Sequence, residues 1–342
     1  MNNTNLIIGK INSGKTTGFL FNEFKKSISN NENILVADEK YEYYNTFKEE
    51  LENDGYNILV LNLKDTSKNN SFNPLLKLYN YYKNGEKDKA IEGVNKLALE
   101  LFKTDNKNAD PFWANSCADY FTALTLILFE NGNIDEINIG SIYTMVDLGE
   151  KKIDDISIMK RYFNTLDITN TIYRVGSAVV FAPIETRGSI ISVMKQELNK
   201  YCIREQLLNN LCGNEIDLDN LNDKFAIFII NKPELNVISN ILINQLSSLN
   251  IKISYYIDNI DNMRVILELN NILDRKEKIF IATRNKENLL NKYNNDLIDK
   301  FENVIDNINK DNLIEIGQEK ELINSVNNNA KYFNIEEFVI NM

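Results

Sequence analysis

The chain has 342 residues, 43% of them apolar and 25% charged, with a formal net charge of −11. That composition suits a folded chain of one large domain or two ordinary ones, and it excludes a disordered one. The acidic balance excludes a free-standing nucleic-acid binder of the usual basic kind, and the absence of histidine removes His-based acid–base chemistry and the commonest zinc ligand.

No apolar run approaches the ~18 residues of a membrane span. The opening Met-Asn-Asn-Thr-Asn has neither the basic start nor the apolar core of a signal peptide. Cys117, Cys202 and Cys212 stand far apart with no C-x-x-C spacing, so they read as reduced thiols. The expected location is cytoplasmic.

Residues 5–9 form a short apolar strand, and residues 9–16 read Gly-Lys-Ile-Asn-Ser-Gly-Lys-Thr. A helix is expected over residues 15–27. This is the pattern G-x-x-x-x-G-K-[ST] in its strand–helix setting. Its turn aims successive backbone N–H groups at phosphates, and the glycines permit that geometry. Gly9, Asn12, Ser13, Gly14, Lys15, Thr16 and Thr17 are the expected nucleotide-binding set. Lys15 is expected to reach the β- and γ-phosphates of ATP and Thr16 to hold Mg²⁺, with the helix dipole adding to both.

A second strand over residues 33–38 ends in Asp38, an amphipathic helix covers 42–52, and a third strand covers 57–63. Strand–helix alternation of this kind predicts a parallel sheet with helices on both faces. The pattern changes at Asn73-Pro74. Helical periodicity dominates to about residue 220: Ile91, Val94, Leu97, Ala98 and Leu101 share a face, and Asp110-Pro111 starts a helix. Trp113 is expected in the core. Strands return at residues 224–230, 252–258 and 278–283. The expected architecture is therefore α/β, with residues 1–73 and 220–342 building one nucleotide-binding domain and 74–219 an all-α insertion.

A phosphate-loop enzyme needs a strand-end acid for its Mg²⁺. Asp38 and Asp258 both qualify, and Asp258 follows the stronger apolar run; the other use of such an acid is to cap the next helix. In many motors a glutamate follows that aspartate and orients the attacking water. Here Asn259 follows, and an amide holds a water without taking its proton. Lys15, Asp258 and Asn259 are the catalytic candidates, with Asp261 a further acid three residues on. Thr16 and Asp258 are the metal candidates.

At these residues the chain resembles the TraG/TraD-type coupling proteins of conjugation and type IV secretion. Five ordered stretches carry the resemblance. They are the phosphate loop; Asp38-Glu39-Lys40-Tyr41-Glu42-Tyr43-Tyr44, similar to D-P-K-G-E-L-Y; and Gly55-Tyr56 through Leu63 with Phe72-Asn73-Pro74. Asp110-Pro111-Phe112-Trp113, similar to D-P-F-W, and Thr186-Arg187-Gly188-Ser189-Ile190-Ile191 complete them. The resemblance implies a RecA-like ATPase with an all-α insertion, assembled as a homo-hexamer. Its implied partners are single-stranded DNA or a relaxase-type protein substrate and secretion-channel proteins at the inner face of the membrane.

Three departures stand out. Family members usually carry two transmembrane helices ahead of the phosphate loop, which here begins at residue 9, so a reduced form is expected. The motif D-E-F-x-N-I appears as Asp258-Asn259-Ile260-Asp261-Asn262-Met263, and Thr283, beside Arg284, stands at a usual glutamine. Weak hydrolysis is the resulting expectation. The alternatives are an ATP-binding adaptor that does not hydrolyse, and a motor recruited to another pathway such as defence. For Arg187 and Arg284 an ordinary surface or salt-bridge role is the first expectation, and sensing phosphate or, for Arg187, reaching a neighbouring subunit's nucleotide is the alternative.

Overall fold

The computed structural model describes residues 3–306, apart from 11–12, 68, 104–108, 222–223, 264–265, 267 and 294. Residues 307–342 of the expected nucleotide-binding domain thus lie outside it. The chain opens with β1 (Thr4–Ile8), and a π-helical stretch (Lys15–Leu20) runs into α1 (Phe21–Ser29). Then come β2 (Asn33–Asp38), α2 (Glu42–Asn53) and β3 (Asn57–Asn62).

Helices follow: α3 (Leu76–Lys83), α4 (Lys87–Phe102), α5 (Pro111–Asn131) and α6 (Ile139–Gly149). A small antiparallel hairpin of β4 (Lys152–Ile153) and β5 (Ile156–Ser157) interrupts them. Beyond it lie α7 (Ile158–Phe163), α8 (Thr171–Val180), α9 (Ile184–Cys202) and α10 (Glu205–Cys212). The chain returns through β6 (Phe225–Ile230), α11 (Asn236–Ser247), β7 (Ile253–Ile257) and α12 (Leu269–Asp274). It closes with β8 (Ile279–Thr283), α13 (Lys286–Lys292) and β9 (Asn303–Ile305).

Seven strands form one sheet in the order β3-β6-β2-β7-β8-β1-β9, all pairs parallel. Side chains alternate between its faces, as a period of two demands. Ile7, Val36, Phe228, Tyr256 and Phe280 point to the side covered by Phe24 of α1 and by Tyr43 and Phe47 of α2. Leu6, Leu35, Leu61, Ile227 and Ile281 point to the other side, in a core that continues through α4, α5, α9 and α11. Runs buried on both faces explain why these strands read as nearly unbroken apolar segments.

Two expectations are revised: the segment 74–219, expected to be all-α, carries the β4–β5 hairpin, whose Asp154 and Asp155 turn in the left-handed region, and Trp113 is placed differently. Trp113 is not core: it is 37% exposed and packs edge-on against Phe112, ring centroids 5.1 Å apart. The reason is its place in the first turn of α5, ahead of the buried run that starts at Cys117. Arg187 takes the ordinary salt-bridge role and is buried within its own chain. Its guanidinium pairs with Glu150 at 3.3 Å and donates to the Val180 carbonyl at 3.2 Å, tying α9 to α6 and α8.

Candidate nucleotide site

Parallel strands bring their carboxyl ends to one edge of a sheet, and ligand crevices form there. The phosphate loop leaves β1, Asp38 ends β2, Asp258 follows β7, and Thr283 ends β8. Since β2, β7, β8 and β1 are consecutive neighbours, these residues line one cavity of about 510 Å³. Ser13, Gly14, Lys15, Thr16, Thr17, Asp258 and Asn259 are all in its wall. Gly9 lies just outside, its N–H donating to the Thr283 carbonyl at 3.1 Å and joining β1 to β8. Asn12 lies outside the described residues.

Gly14 adopts φ 90°, the left-handed conformation that favours glycine. The turn it makes starts the π-helical stretch, with Gly18 N–H donating to Gly14 O at 2.8 Å. Lys15 Nζ folds back on the loop, donating to the carbonyls of Gly9 at 2.5 Å and Lys10 at 2.9 Å. Burial holds the Lys15 ammonium below the ordinary lysine value, opposed by the nearby charges of Asp258 and Asp261. Ser13 Oγ is buried with no hydrogen-bond partner among the described residues.

Thr16 Oγ1 donates to Asp258 Oδ2 at 2.6 Å. Burial pushes the Asp258 carboxyl up to about 6; the Thr16 hydroxyl and Lys15 oppose this, and the carboxylates of Asp38 and Glu42 add to it. A hydroxyl and a buried carboxylate side by side suit Mg²⁺, which takes one or two protein oxygens and completes its shell with water and substrate phosphates. The described residues offer no group of three or more acidic, Cys or His side chains to cage a metal. The donor set therefore fits a cation that arrives with a nucleotide.

The two strand-end acids separate cleanly. Asp38 accepts from the N–H groups of Lys40 and Glu42, both at 2.7 Å, and of Tyr43 at 3.3 Å. It caps the entry to α2. Asp258 has the hydroxyl partner instead. Asp261 accepts from the Thr283 hydroxyl at 2.7 Å and the Arg284 N–H at 2.8 Å, so its carboxylate fastens the turn after β7 to β8. Asn259 sits at φ 73°, a left-handed position that asparagine tolerates better than most residues.

Glu39, Lys40, Glu42 and Ala282 also line the cavity; the first three lie in a stretch that carries the family resemblance, but none was among the expected site residues. Their signal was the acid-rich stretch after β2, which gains meaning only when β2 lies beside β7. Arg284 lines the cavity as well, with Nη2 3.4 Å from Asn262 Oδ1.

Comparison with known proteins places this geometry. The family model described as type IV secretory system conjugative DNA transfer matches residues 3–274. The fold resembles the bacterial conjugative coupling protein TrwBdeltaN70 in its unbound monoclinic form. That match has a TM-score of 0.60 at 13% identity and covers 87% of this chain and 66% of that one. The plasmid coupling protein TrwB in complex with ADP and Mg²⁺ gives 0.60 at 12% identity, over 88% of this chain and 69% of that chain. VirB4 of Thermoanaerobacter pseudethanolicus gives 0.50 at 12% identity, covering 92% and 79%. The chain thus spans about two thirds of the length of the coupling-protein chains it matches. No curated protein matches the sequence. The parallel sheet, the phosphate loop opening at β1 and the match over residues 3–274 agree: this chain belongs to the type IV secretory system conjugative DNA transfer family, with a RecA-like P-loop fold.

Proposed function

We propose that the chain binds Mg²⁺–ATP in the β1–β7–β8 cavity and hydrolyses it as a coupling-protein-type motor in conjugative DNA transfer. The observation that carries this reading is the Thr16–Asp258 hydrogen bond at the phosphate loop. It sets a metal-binding hydroxyl and carboxylate at the mouth of a loop whose backbone suits phosphate. TrwB has been seen with ADP and Mg²⁺ and with a non-hydrolysable ATP analogue, which supports the same ligand here.

In this reading Lys15 exchanges its bonds to the Gly9 and Lys10 carbonyls for phosphate oxygens, and Ser13 Oγ gains the partner it lacks. Thr16 and Asp258 would be the protein residues that hold Mg²⁺. The chemistry that a bound Mg²⁺ would supply there is neutralisation of phosphate charge. Residues 1–73 and 220–342 act as the nucleotide-binding domain and 74–219 as the substrate-facing helical insertion. The division is supported by the origin of all seven sheet strands outside residues 74–219. Working as a homo-hexamer on single-stranded DNA or a relaxase-type protein, docked to secretion-channel proteins at the inner membrane face, completes the proposal. Among the described residues no helix is long and apolar enough to cross a membrane, which suits attachment through such partners.

The test is thermal. A ligand that binds only the native state raises its melting temperature, by free energy of about 2.7 kcal/mol at a hundred times Kd. Mg²⁺–ATP should therefore shift the melting temperature upward, and Lys15→Ala should remove most of the shift. An undiminished shift in that variant would overturn the assignment. Steady-state turnover with and without single-stranded DNA then tests the motor.

A further inference from the structure

Hydrolysis needs a group to take a proton from the attacking water, and Asn259 has no basic oxygen to do so. The acids around the cavity are committed one by one. Asp38 gives its carboxylate to three backbone N–H groups, Asp258 to Thr16, and Asp261 to Thr283 and Arg284. Glu42 pairs with Lys40 at 3.6 Å and lies 38% exposed at its side chain.

Glu39 is different. Strands β2 and β7 run in register with Ala37 beside Ile257, and Asp258 N–H donates to Ala37 O at 2.9 Å. The paired register ends there, and Asp38-Glu39 and Asp258-Asn259 are the residues that next leave the two adjacent strands. Glu39 lies in the cavity wall with Asp258 and Asn259. It is held at two points: Lys64 Nζ donates to its backbone carbonyl at 2.6 Å, and Asn262 Nδ2 donates to its Oε2 at 3.0 Å. Asn262 is in turn held by Asn236, whose Nδ2 donates to its carbonyl at 2.7 Å. The other oxygen, Oε1, is buried with no hydrogen-bond partner among the described residues. A buried acceptor left unmatched costs roughly 1–3 kcal/mol, so a proton donor there is favoured.

We infer that Glu39 is the general base of this ATPase, a carboxylate just past the end of β2, the strand beside the one that leads to Asp258, and that it takes the role Asn259 cannot fill. The inference rests on the ATPase reading given above. In the step, Glu39 Oε1 accepts a proton from water as the water oxygen forms its bond to the γ-phosphorus. The bond from that phosphorus to the bridging oxygen breaks, and its electron pair leaves on ADP. Glu39 then returns the proton to the released phosphate. Asn259 holds the water without receiving its proton.

The experiment pairs turnover with binding in the full chain. Glu39→Gln, close to isosteric, should keep the Mg²⁺–ATP thermal shift within a degree or two of wild type. Its turnover should fall at least ~10²-fold, the lower end of what a positioned base contributes. Turnover within threefold of wild type overturns the inference. So does a wild-type protein that binds Mg²⁺–ATP without hydrolysing it. A wild type that shows no Mg²⁺–ATP shift refutes the nucleotide-site reading itself. Should Glu39→Gln fail to fold, Glu39→Asp keeps the charge and withdraws it by one methylene. A fall of ~10-fold or more with binding retained then supports the inference, and unchanged turnover overturns it.

Discussion

Asp258 is an ionisable group held where ionising is costly. Its carboxyl titrates at about 6, chiefly through burial, against an ordinary aspartate value of 3.8. Because the folded value lies above the unfolded one, its stabilising contribution is present at pH below 3.8 and is lost as pH rises through about 6. Asp258→Asn should therefore stabilise the ligand-free protein near neutral pH, by on the order of 1–3 kcal/mol, measured by urea denaturation. Cation binding has the opposite sense, since Mg²⁺ needs the carboxylate. In calorimetric titration the Mg²⁺-dependent part of nucleotide affinity should fall ~10-fold between pH 7.5 and pH 5, and Asp258→Asn should abolish that part. A flat profile in the wild type would count against Asp258 as the metal residue. Glu39 bears on the same site: the coupling-protein-like motifs have Asp-Pro and Asp-Glu where this chain has Asp38-Glu39 and Asp258-Asn259.

At the scale of elements, the helices are held by close approach as much as by apolar stripes. Helix α8 crosses α5 at Gly176, where an added Cβ would sit 2.7 Å from both Ala123 Cβ and Phe163 Cζ. Alanine normally gains about 1 kcal/mol over glycine inside a helix. Here overpacking, about 1–3 kcal/mol, should outweigh that gain, so Gly176→Ala should lower the urea midpoint. A raised midpoint would show that the crossing can relax. The start of α2 offers a second case. Asp38 is its cap, and Asp38→Ala leaves three N–H groups unmatched beside the cavity. A loss of about 1–2 kcal/mol is expected, with Mg²⁺–ATP binding weakened less than by Asp258→Ala.

Over the whole molecule, one face of the sheet and the helical segment share one core. Apolar contact runs without a break from Leu6 and Ile8 of β1, through Leu246 of α11 and Leu97 of α4, to Leu211 of α10. Such continuity predicts one cooperative transition rather than two. Trp113 is the single tryptophan, at the start of α5 in the helical segment. Its fluorescence should therefore change at the same temperature as the far-ultraviolet circular dichroism of the whole chain. Separate midpoints would mean that the helical segment unfolds by itself.

Features carried by contiguous residues could be read from the sequence alone. The phosphate loop needs eight successive positions, and six of the seven sheet strands are apolar runs long enough to announce themselves. Helix α5 declared its start through Asp110-Pro111. Other features depended on neighbours far along the chain. β9 has only Asn303, Val304 and Ile305, too few to show a period, and it is a strand because β1 supplies its hydrogen bonds. Trp113 followed exposure rather than hydropathy, since its place in the first turn of α5 put it beyond the buried run. The roles open to Asp38 and Asp258 looked alike in sequence. Only the folded chain set Asp38 against the N–H groups of α2 and Asp258 against Thr16. Glu39 and Asn259 are 220 positions apart, and it is the parallel pairing of β2 with β7 that brings the chain just past both strands to one cavity wall, because hydrogen-bonded strands align residues by space and not by sequence.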